Sequence, residues 1–142
     1  MTPYEFPSAE WTAAFKDAVN ASDAYKKAGK DWTHGPVAMV VTKEPSLDLD
    51  DDMVMFLDVH EGVCRDARYE KGMQATEKAP FVIVATYDRW KDVIRGELEP
   101  TKGMLQGKLK LVKGHLPTMI RYVESSKALV ESAAQVPTEF LD

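Results

Sequence analysis

The chain has 142 residues, 23 of them Asp or Glu against 18 Lys or Arg, for a net charge of −5. That length suits one domain burying about two-thirds of its unfolded surface, enough for a core with room for a cavity, and the acidic balance excludes a general nucleic-acid binder. Cys64 is the only cysteine, so no intrachain disulfide forms; Met1–Glu10 lacks a signal peptide's basic start and apolar run, and no apolar stretch approaches a membrane span, so a cytoplasmic protein is expected.

Ser8 is placed to cap a first helix with Glu10 in its first turn, and Trp11, Ala14, Phe15, Ala18, Val19 and Ser22 follow at helical spacing to an end near Gly29. Val37–Thr42 is short and β-branched, as a strand requires. A Pro45 turn and the acidic loop Asp48–Asp52 lead to two further strands, Met53–His60 and Val63–Tyr69, flanking Glu61-Gly62. A two-residue hairpin loop there sets Asp58 opposite Arg65.

Phe81–Ala85 has no polar residue and reads as a central strand buried on both faces. Thr86 is placed to cap a helix through Arg95, with Gly96 at the end where a left-handed backbone is favoured. Gln106–Lys113 alternates Lys108 and Lys110 with Leu109 and Leu111, one wet face and one dry. Pro117 sits where a first helical turn tolerates proline, and Leu116, Met119, Ile120, Val123, Val130, Ala133 and Ala134 predict one long last helix, followed by a tail ending Phe140-Leu141-Asp142. The order helix, three strands, strand, helices, strand, helix is an α+β layout: a single domain over 1–142, with an about five-stranded sheet covered mainly on one side by helices.

Catalytic and metal-binding patterns are not found locally. His34, His60 and His115 are dispersed, and His60 and Cys64 point to opposite faces if strand alternation holds. Asp48, Asp50 and Asp52 begin like a calcium loop, but Met53 and Val59 stand where that loop needs glycine and glutamate. Gly103 and Gly107 fit no nucleotide-cradling motif. The expectation is no catalytic residue, no metal and no cofactor. Charge is unevenly spread, with seven acids between Glu44 and Glu61, while Pro100–Val123 holds Lys102, Lys108, Lys110, Lys113 and Arg121 and no acid. Solvated faces account for this; a weak landing site for anionic headgroups or a phosphate-bearing acyl carrier is the sharper alternative.

The run from Gly96 to Leu111 places Gly96, Pro100, Gly107, Lys108 and Lys110 in a recognisable order. Together with Asp58-Val59 and Gly62 in the hairpin and the helix before Gly96, it resembles the sterol carrier protein family from about Met53 to Val123. In that family a turn glycine ends one helix, a proline opens a second and a Gly-Lys-x-Lys strand follows. The chain departs from the pattern at Glu97, where lysine is frequent, at Gly103 in place of alanine, and by one extra residue between Lys110 and Gly114.

The resemblance implies non-enzymatic binding or carrying of a hydrophobic ligand, a fatty acid, acyl-CoA or sterol-like lipid, in an apolar tunnel. Matching positions give its implied lining as Trp90, Ile94, Met104, Leu105, Leu109, Leu111, Met119 and Ile120. The alternative is an accessory or assembly subunit of an enzyme system acting on hydrophobic substrates, and a stand-alone hydrolase or transferase ranks third. Expected partners are a small hydrophobic ligand and no nucleic acid; transient contact with an anionic membrane or an enzyme partner, and a homodimer, stay open.

Overall fold

The computed structural model describes residues 2–142. Ser8 caps α1 (Ala9–Ala21), its hydroxyl accepting the Trp11 N–H at 3.0 Å. The helical pattern then breaks. Ser22 adopts an extended conformation and accepts the Tyr25 N–H, so it ends α1 and caps a separate α2 (Asp23–Ala28), where periodicity alone predicts one helix to Gly29. Serine competes for backbone groups in this way, which makes it a better cap than a helix interior residue.

The main sheet has five strands in the order β4 (Val63–Lys71), β3 (Met53–His60), β2 (Val37–Val41), β5 (Phe81–Ala85), β6 (Lys110–Lys113). All neighbours are antiparallel except β2 and β5, which run parallel. Phe81–Ala85 is therefore an interior strand, paired on both sides, next to the middle strand β2. Strand alternation sorts the side chains. Val37 and Val41, Met53, Met55, Leu57 and Val59, and Phe81, Ile83 and Ala85 join the large core under the helices. Ala38, Val40, Val54, Phe56 and Val82 form a smaller cluster on the other face, covered by Ala75 and Ala79 around the short 3₁₀ segment Met73–Thr76.

Glu61 and Gly62 both have positive φ, the two-residue loop that matches strand twist. The Asp58–Arg65 ion pair forms at 3.0 Å, yet a bulge between Asp58 and Val59 shifts the register so that Asp58 faces Asp66. The pair holds because the long arginine side chain spans one residue of offset.

After β5, α3 (Tyr87–Ile94) starts at Thr86, whose backbone is extended but whose side chain makes no capping bond. Gly96 has φ +78, and α4 (Pro100–Leu105) opens on its proline with Glu99 accepting the Lys102 N–H. β6 is shorter than the alternation of residues 106–113 predicts, because Lys108 and Leu109 still bond back to the Gly103 carbonyl. The last helix is also split, into α5 (Leu116–Arg121) and α6 (Val123–Ala134) at Tyr122. Finally β7 (Thr138–Phe140) pairs in parallel with β1 (Tyr4–Phe6), bringing the two chain ends together in a separate ribbon.

Gly114 fixes the turn between β6 and α5. Its φ is +117, and a Cβ there would lie 2.5 Å from Phe81 Cδ2. Gly114→Ala is expected to cost about 2–5 kcal/mol, combining backbone strain with overpacking. Gly96→Ala meets nothing within 4 Å and should cost only about 1 kcal/mol of strain. Urea unfolding midpoints at unchanged slope check the contrast; equal losses would show that Phe81 yields freely.

Candidate functional site: an apolar cavity between sheet and helices

The inner faces of β2, β3 and β5 do not meet the helices everywhere. Between them lies a cavity with about 80 Å³ of free space. Its floor is Val37, Met39, Met55, Leu57, Val59 and Ile83 from the sheet. Its walls are Phe6, Trp11 and Phe15 at the N-terminal side, Trp90, Val93 and Ile94 from α3, Met119 from α5, and Leu129, Val130 and Ala133 from α6. A larger groove of about 530 Å³, lined by Thr42, Val84, Ala85, Arg89, Lys108 and Lys110 among others, is more open to solvent.

All three tryptophans line the cavity, and each spends its indole N–H elsewhere. Trp11 donates to Thr138 Oγ1 at 2.9 Å, Trp32 to the Gly35 carbonyl at 2.9 Å and Trp90 to the Val40 carbonyl at 2.8 Å. The rings therefore present carbon to the interior while their polar edges are satisfied. Aromatic packing stiffens two parts of the wall: Phe6 meets Trp11 edge-on at 4.8 Å and Trp11 stacks on Phe15 at 5.2 Å, while Trp32 meets Tyr122 edge-on at 4.9 Å. Methionines 39, 55 and 119 supply the soft part.

Of the residues implied by resemblance, Trp90, Ile94 and Met119 lie on this wall. Met104 is buried in the surrounding core but off the wall, and Leu111 is half-buried against the same core on the edge strand. Leu109 is buried against α4: a Cβ on Gly103 would come within 2.9 Å of Leu109 Cγ, so the missing side chain is what admits the leucine there. Leu105 and Ile120 point outward, 62% and 42% exposed, and do not line the cavity. The reason is helical geometry, since adjacent residues lie about 100° apart and Met104-Leu105 or Met119-Ile120 cannot both face inward. Phe140 packs edge-on against Phe6 behind the wall instead of closing the space.

The wall residues that sequence reasoning missed are chiefly Phe6, Trp11, Phe15, Tyr25 and Trp32, all N-terminal to the resemblance. The i, i+4 pair Trp11 and Phe15 was the available signal.

Cys64 is buried, its thiol 3.3 Å from the Asp66 carbonyl. Burial, opposed by Lys16, pushes its pKa from 9.0 up to about 11, and burial likewise raises Tyr69 from 10.0 to about 12 and raises Tyr25. These groups are held neutral by the fold, so the stability they add is fully present below pH 9.0 and is lost as pH rises through about 11 and 12. Two results are expected: alkaline unfolding over that window, and Cys64 labelling by a thiol reagent at neutral pH only at the rate of global unfolding. Rapid labelling of folded protein would contradict the burial argument.

A sequence profile of the SCP-2 sterol transfer family matches residues 14–121, so the chain belongs to that family. Among solved structures, the crystal structure of sterol carrier protein 2 is 32% identical with a TM-score of 0.84, covering 91% of this chain and 97% of its own. A conserved hypothetical protein from Thermus thermophilus, described as possibly a sterol carrier protein, is 30% identical with a TM-score of 0.87 over 98% of this chain and 94% of its own. The UbiJ-SCP2 ubiquinone synthesis protein shares the fold at 15% identity and TM-score 0.51, over 86% of this chain and 90% of its own. No curated protein sequence matches. No helix among the described residues is long and apolar enough to cross a membrane.

Proposed function

We propose that the chain binds and carries a lipid with a long hydrocarbon part, such as a fatty acid, acyl-CoA or sterol-like molecule, without changing it chemically. The observation that carries this reading is the cavity itself: an interior space walled by hydrocarbon, whose tryptophan N–H groups are all turned away. Buried apolar surface is the attraction such a site offers, about 0.8 kcal/mol per methylene. Membership of a sterol transfer family supports it.

At about 80 Å³ the free space is smaller than the roughly 300–1,000 Å³ typical of ligand pockets. A long chain is thus admitted by widening, through rotamer changes at Met39, Met55 and Met119 and small shifts of the short helices α5 and α6. Titration of delipidated protein with fatty acids of increasing length, followed by tryptophan fluorescence, is expected to show affinity rising by up to about fourfold per methylene until the widened cavity is full. Absence of binding by any fatty acid, acyl-CoA or sterol would sink the carrier reading. In its place would stand an accessory subunit, with the exposed Leu105, Val112 and Ile120 as residues for an enzyme partner to cover.

A further inference from the structure

The polar side chains on the cavity wall fall into two sets. The indoles of Trp11, Trp32 and Trp90 donate to protein oxygens, the Tyr122 hydroxyl donates to the Asp31 carbonyl at 3.1 Å, and the Ser125 hydroxyl donates to the Ala28 carbonyl at 2.9 Å. Tyr25 and Ser126 also line the cavity, but among the described residues neither hydroxyl has a hydrogen-bond partner. Both residues are buried, 2% and 8% exposed. The buried polar atoms sealed off without a partner are, among the described residues, Glu99 Oε1 and Thr101 Oγ1. The Tyr25 and Ser126 hydroxyls are not among them, so each keeps some free surface, and both residues stand on the cavity wall.

The two hydroxyls come from elements that pack together, since the Ser125–Ala28 bond ties α6 to the end of α2. We infer that Tyr25 and Ser126 are the polar anchor of the cavity and select a lipid whose inserted end is an uncharged hydrogen-bonding group, such as an alcohol. The reasoning is electrostatic. Among the described residues no lysine, arginine or histidine lines the cavity, so an inserted carboxylate would be desolvated with no counter-charge, at a cost far above that of burying a neutral hydroxyl. A hydroxyl head recovers its lost water by bonding to groups that have no other partner. Burial also keeps the Tyr25 phenol protonated, a donor at every physiological pH.

This inference rests on the carrier reading, and the two fail differently. Delipidated protein is titrated with dodecanol, dodecane and ionised dodecanoate, in wild type, Tyr25→Phe and Ser126→Ala. Dodecanol is expected to bind wild type at least about tenfold tighter than dodecanoate. Each variant should lose about three- to tenfold for dodecanol while binding dodecane unchanged. Because each substitution removes a hydroxyl that bonds to nothing in the protein, both variants should melt at or slightly above the wild-type temperature. Equal binding of dodecanol and dodecanoate to wild type, unchanged dodecanol binding by both variants, or a destabilised Tyr25→Phe would each overturn the anchor. Binding of none of the three probes by folded wild type would overturn the carrier reading and the anchor with it.

Discussion

Trp90→Ala is expected to lower the free energy of unfolding by about 3–5 kcal/mol, a large part of the roughly 5–15 kcal/mol typical of a domain. Three losses combine. The indole is 3% exposed and its removal withdraws a large apolar surface from the core. The existing cavity then merges with the new space, so the neighbours cannot collapse to fill it. The Val40 carbonyl in the middle strand also loses a buried donor at 2.8 Å. Trp90→Phe separates the contributions, since it keeps most of the ring and removes the bond, and should cost about 1–3 kcal/mol. Urea unfolding measures both; a loss under about 1 kcal/mol for Trp90→Ala would show that α3 is not packed as described. A lipid long enough to fill the enlarged space buries more hydrocarbon there and so has a lower Kd, and at equal concentration it should restore more stability to the alanine variant than to wild type.

Ala133→Leu is expected to move stability and binding in opposite directions. Ala133 is buried on α6 and lines the cavity. Three added carbons there occupy space that is free in the native chain, and cavity filling of this kind commonly adds about 0.5–2 kcal/mol. The same carbons displace the ligand, so the affinity for a long-chain lipid should fall at least about tenfold, as if two or more methylenes lost their contacts. Thermal melting and fluorescence titration read the two effects on one sample. A variant that melts higher and binds as before would place the lipid somewhere other than this cavity.

Much of the framework was legible because it depends on local pattern. The Glu61-Gly62 turn placed β3 beside β4, the unbroken apolar run of β5 marked it as an interior strand, and Ser8, Gly96 and Pro100 marked helix ends through their own backbone preferences. What was not legible depends on competition between alternatives of similar local merit. Ser22 fits the apolar periodicity of one long helix and also caps a second, and only the packing of α2 against α6 decides for the cap. Tyr122 interrupts the last helix for a comparable reason, its ring lodged against Trp32 and its hydroxyl bonded to Asp31.

The cavity was harder still. Periodicity tells which side of an element is apolar; it does not tell which apolar side chains fail to touch. Leu109 matched the family pattern as well as Met119 did, yet the absent side chain at Gly103 draws it toward α4. Phe6, Trp11 and Trp32 are wall residues from the part of the chain where the resemblance had no motif to offer.

The parallel β1–β7 ribbon has a consequence for synthesis on the ribosome. Tyr4–Phe6 finds its partner only in Thr138–Phe140, and the Trp11 indole waits for the hydroxyl of Thr138. Every strand of the five-stranded sheet precedes those residues in the chain and is synthesised before them. The Phe6–Trp11 side of the hydrocarbon interior is therefore the last to be latched, and a chain stalled just short of Thr138 presents that side to chaperones or to whatever lipid is near.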